Sequence, residues 1–77
     1  MKSPIKIFAD FNNTDRMHRV RLTTVGTLED LRRMGITLES GLQIILDDSE
    51  ELVASGVVEF SEEENIWVAK INWDEIK

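Results

Sequence analysis

Seventy-seven residues with no cysteine and one histidine make a single domain with no disulfide framework, no thiolate metal cage and no histidine-rich metal site within one chain. A net charge of −6 disfavours general nucleic-acid binding, because most of the surface would repel phosphate. No apolar run approaches the roughly 20 residues of a membrane span, and the first residues lack the pattern of a secretory signal, so the expectation is a cytoplasmic protein with no membrane contact.

In chain order, Pro4 suits a strand's first position, where no ladder donor is needed. Ile5, Ile7, Ala9 and Phe11 then alternate with Lys6, Phe8 and Asp10. This period of two predicts a first strand over residues 2–11 with Ile5, Ile7 and Ala9 inward. Asn12-Asn13-Thr14-Asp15 is turn chemistry. A second strand follows over 19–25, with Val20 and Leu22 on one face and Arg19, Arg21 and Thr23 on the other.

At Gly26 the period changes. Thr27 reads as an N-cap, with Asp30 in the reciprocal place of a capping box and Glu29 beside it in the first turn. Arg32 and Arg33 suit a last turn, and Gly35 supplies a left-handed stop. Together they predict a helix over 28–34 with Leu28 and Leu31 on one face and Met34 adjacent, too short to persist unless docked. Ile36 and Leu38 are expected under the connector that follows.

Three strands in up-down order complete the chain, and the rest closes a core over them. The third spans 42–46, with Leu42, Ile44 and Leu46 on one face and Ile45 on the other. The fourth spans 52–60, with Ala54, Gly56, Val58 and Phe60 sharing a face and Gly56 suggesting a bulge or sharp bend. The fifth spans 66–71, with Trp67, Ala69 and Ile71 opposite Ile66, Val68 and Lys70. Acidic turns lie at 47–51 and 61–65, and the pairing of Asn72 with Glu75 repeats the capping pattern of a short C-terminal helical turn.

The predicted fold is mainly β: a small five-stranded antiparallel barrel or strongly curled sheet, with one short helix between the second and third strands. The alternative is an α+β open sheet with the helix packed on one face. In strand count and length the outline resembles small Src-homology-like barrels, and that resemblance implies use as an adaptor or RNA-binding module. A shared fold does not transfer function.

Charge is uneven along the chain. Residues 1–35 carry seven basic groups against four acids, and residues 36–77 two against eleven. Neutralisation across neighbouring strands is the reading preferred over a functional dipole.

Few patterns carry chemistry. The run from Asp10 begins like a calcium loop, but Asp15 and Arg21 stand where such a loop needs glycine and a bidentate glutamate. Asn12-Asn13-Thr14 is a formal glycosylation sequon without the signal that would deliver it to the machinery. The acid clusters 47–51 and 62–64 read as solvated turns that keep sheet edges from pairing. His18, flanked by Arg16 and Arg19, has no nucleophile to serve, and the scattered glycines form no phosphate cradle. No cofactor, metal or small-molecule ligand is expected.

The functional expectation is therefore a non-enzymatic module that binds a protein partner, or a second copy of itself, through an apolar and acidic C-terminal surface. Ile66, Val68 and Trp73 are the candidate anchors, and Glu62, Glu63 and Glu64 the steering rim. The second reading is single-stranded RNA on a face of Lys6, Phe8, Arg19 and Arg21.

Overall fold

A computed structural model describes residues 5–75. The strand start expected at Lys2 and Pro4 lies outside those residues. Five strands, β1 (Lys6–Phe8), β2 (Val20–Arg21), β3 (Gln43–Asp47), β4 (Val53–Ser61) and β5 (Ile66–Ile71), join one helix, α1 (Val25–Met34), and a closing 3₁₀ turn, Trp73–Glu75. The strands form one mixed sheet in the order β1-β3-β4-β5-β2, curled into a half-barrel. No helix among the described residues is long and apolar enough to cross a membrane.

The β3–β4–β5 meander follows from period two. Ile44 and Leu46, then Ala54 and Val58, then Ala69 and Ile71 face a common interior with Ile7, Val20 and Leu22. Enclosing each large side chain there contributes about 1.5–3 kcal/mol. The register runs unbroken through Gly56, which lies between Ile44 and Ile71. The expected bulge is absent. Glycine serves close approach instead, since a Cβ there would meet Ile71 Cγ2 at 2.8 Å and the Lys70 carbonyl oxygen at 3.1 Å. Phe60 keeps the inward parity but emerges at the barrel rim, 38% exposed, edge-on to Trp67 at 5.0 Å.

The expectation of a wholly antiparallel sheet is corrected at β1, which runs parallel to β3 with Ile7 beside Leu46. β1 and β2 therefore stand at opposite edges, and the chain between them crosses the open side, burying Ala9 and Phe11. β2 shrinks to two ladder residues because Thr24 already begins the helix.

Both edges are covered. On β1, Ile5 C=O and Ala9 N–H serve β3, which leaves the backbone of Phe8 facing the free edge. Its N–H donates to Asp30 Oδ2 at 2.8 Å, and its carbonyl accepts from the Thr27 hydroxyl at 2.6 Å. Helix side chains thus occupy the positions an invading strand would use. On β2, Thr14 bridges Val20, with Asp15 N–H donating to Arg19 C=O and Arg21 N–H to Asn13 C=O.

These contacts also explain a second correction. The N-cap is Thr24, in extended conformation and accepting from Thr27 N–H; Thr27 lies inside the helix and is fully buried. Leu31 is buried while Leu28 and Met34 are exposed, so the expected apolar face is turned by Thr27, which spends its hydroxyl on β1. Gly35 ends the helix as expected, at φ 66°, with its N–H on Arg32 C=O and that of Ile36 on Leu31 C=O.

Candidate functional site

The outer face of β2, β5 and β4 carries most of the charge chemistry. Across it Arg21, Val68 and Glu59 stand side by side. Arg21 forks onto Glu64 through Nε and Nη2, both at 2.8 Å, and reaches Asn13 Oδ1 with Nη1. Arg19 donates from Nε to Asp15 Oδ2 at 2.9 Å and from Nη1 to Glu59 Oε1 at 3.1 Å. Asp15, a buried carboxylate, also accepts the Met17 and Arg19 N–H groups at Oδ1.

The titration behaviour follows. Burial pushes the Asp15 carboxyl up, but hydrogen bonds and charge from Arg19, with the Met17 N–H, outweigh it and hold it below its ordinary value. The Glu59 hydrogen bond raises Arg19, and the Glu64 fork raises Arg21 and lowers Glu64 in turn. At the β3–β4 turn, N–H groups of Glu50, Leu52 and Glu51 lower Asp48.

Of the six ion pairs among the described residues, four join the basic first half to the acidic second half: Lys6–Asp47, Arg16–Glu63, Arg19–Glu59 and Arg21–Glu64. Four of the eleven acids of the second half are thus matched in space by bases of the first, and the rest carry the net charge of −6.

This network relocates several expected site residues. Val68 is fully buried between Arg21 and Glu59 and is no surface anchor. Long arginine stems cover apolar surface while their heads stay paired. Ile66 is partly buried, opposite Ser61. Glu64 is committed to Arg21, whereas Glu62 is exposed and Glu63 pairs with Arg16 in an exposed bridge. Lys6 and Phe8 stand at the opposite edge of the sheet from Arg21 and do not share a platform with it or with Arg19.

Trp73 is a clasp. Its ring stacks on His18 at 3.9 Å and 4°, meets Phe11 edge-on at 6.4 Å, and its Nε1–H donates to His18 C=O at 2.9 Å. His18 sits at φ 63°, unfavourable for a side chain with a Cβ, and the stack helps hold it there. Trp73→Ala is expected to cost about 2 kcal/mol, read as a lower urea midpoint with unchanged slope.

Beside the Arg16–Glu63 pair lies a small cleft of about 420 Å³ formed by Arg16, Met17, Arg19, Ser40 and residues 60–63. Met17, 66% exposed, and Phe60 are its apolar walls, and Glu62 and Glu63 its acid rim. The sequence pattern hid both. Phe60 reads as core by parity, and Met17 is a lone apolar residue in a polar turn. Among the described residues, no three histidine, aspartate or glutamate side chains converge closely enough to hold a metal ion. No family model, curated protein or solved structure matches the chain.

Proposed function

We propose a non-enzymatic, cytoplasmic protein-binding module whose acidic end receives a basic partner. The observation that carries this reading is the pairing of exposed Phe60 and Met17 with the Glu62–Glu63 rim. Charge sets the partner's sign: among the described residues two basic side chains, Arg32 and Lys70, take part in no ion pair, against nine acidic ones, Glu39, Glu50, Glu51 and Glu62 among them. Asp15, Asp48 and Glu64 are held below their ordinary values and so ionised, which suits structure and steering more than proton transfer.

The test is an NMR titration of ¹⁵N-labelled protein with an alternating Arg–Leu peptide, an Asp–Leu control and a uridine-only RNA. The Arg–Leu peptide is expected to shift Met17, Phe60 and Glu62. Phe60→Ala should weaken it by about tenfold, and added salt should slow association. Equal response to both peptides, or none, sinks the proposal. Shifts confined to Arg19 and Arg21 on adding RNA would favour nucleic acid instead.

A further inference from the structure

The arginines at positions 16, 19 and 21 are held very differently. Arg21 grips Glu64 with two nitrogens and Asn13 with a third, and Arg19 is shared between Asp15 and Glu59. Arg16 makes one ionic contact, Nη2 to Glu63 Oε2 at 2.8 Å, with 78% of its side chain and 53% of its partner's exposed. A pair so open to water contributes little, because solvent screens it and two long side chains must be held still.

Where that weak pair lies gives it a consequence. Arg16 and Met17 come from the turn before β2, and Phe60, Glu62 and Glu63 from the end of β4 and the turn after it, and all five line the cleft. The contact therefore joins the two sides of the cleft. The backbone of the first turn is fixed: the Asp15 carboxylate accepts the N–H groups of Met17 and Arg19, its carbonyl accepts that of His18, and the His18 carbonyl is tied to Trp73. The movement left to Arg16 is that of its own side chain. Of the charges in the cleft, Arg19 is spent on Asp15 and Glu59, Arg16 occupies Glu63, and Glu62 is unpaired. An incoming cation meets one free carboxylate and a repelling guanidinium while Arg16 stays, and two free carboxylates once it leaves.

We propose that Arg16 is an autoinhibitory group, holding Glu63 in the place of the partner's cation until the partner displaces it. The inference rests on the reading of the cleft as the receptor for a basic partner, and states what restrains that receptor.

The Arg–Leu peptide titration, repeated on Arg16→Gln, tests it. That variant should bind the peptide about threefold more tightly than wild type. Arg32→Gln is the control: it removes the same charge from an exposed side chain of α1 that takes part in no ion pair among the described residues. Its gain should be far smaller, which separates displacement at the cleft from the change in net charge. Amide spectra that match wild type outside the two turns confirm that both variants fold. Peptide shifts in Arg16→Gln with none in wild type would be the strongest form of the expected result. If wild type binds and Arg16→Gln binds no more tightly than Arg32→Gln, the autoinhibition is overturned and the cleft's role stands. Weaker binding by Arg16→Gln overturns it too, making the pair a staple that shapes the cleft. Shifts in none of the three proteins overturn the cleft reading and this inference with it.

Discussion

Asp15→Ala is expected to cost about 3 kcal/mol, a large part of the margin of a domain this small. One carboxylate, 2% exposed, accepts two backbone N–H groups and the Arg19 guanidinium. Alanine leaves those donors without a partner and removes one of the two carboxylates facing Arg19, itself largely buried. The loss also loosens the turn that sets His18 under Trp73. Urea unfolding at neutral pH measures it, and Asp15→Asn, which keeps an acceptor oxygen, should recover part. The pH dependence has a definite sign. The folded carboxyl titrates below its ordinary value of 3.8, so its contribution is complete above that value and is lost as the pH falls through the lower, folded one. The gap between wild type and Asp15→Ala is therefore widest near neutrality and closes in acid. A constant gap down to the acid transition would show that charge has no part in it.

Gly56→Val is expected to cost about 3 kcal/mol although it adds apolar volume at a buried site. The first atom of any side chain would already stand 2.8 Å from Ile71 Cγ2 and 3.1 Å from a backbone oxygen. Ile71 is branched and buried, and the oxygen belongs to the neighbouring strand, so neither can swing aside. A second branch pushes β4 from β5 along the widest ladder of the sheet. Gly56→Ala should cost less, and Gly35→Ala, in open space but at positive φ, should cost about 1 kcal/mol for a different reason. Thermal midpoints ordered Gly35→Ala, Gly56→Ala, Gly56→Val from highest to lowest would bear this out. A Gly56→Val protein as stable as wild type would refute the close-approach account.

Much of the scaffold was legible in the sequence because its signals are local. Alternation marked all three meander strands to within a residue, and Gly35 marked the helix stop. Seven bases in one half and eleven acids in the other favoured pairing between the halves, and four such ion pairs form. What stayed hidden depends on partners far along the chain. Alternation states that β1 has two faces, not which strand it joins or in which direction. Thr27 reads as the cap from its neighbours in sequence, but Thr24 holds the extended cap conformation and Thr27 gives its hydroxyl to the distant Phe8 carbonyl. Val68 looked like a surplus apolar residue until the register set Arg21 beside it. Trp73 looked like an anchor for a partner, and its partners are His18 and Phe11 of the same chain.

The strand order has a consequence for how the molecule is made. β1 pairs with β3, and β2 pairs with β5, the last strand of the sheet to be made. During synthesis the opening third therefore emerges with no ladder to join, and closing its long loops comes late and costs entropy. The hairpins of the meander can form early and locally. The β1 border can close as soon as β3 has appeared, whereas the β2 border waits for β5, so the two sides of the half-barrel are completed at different times.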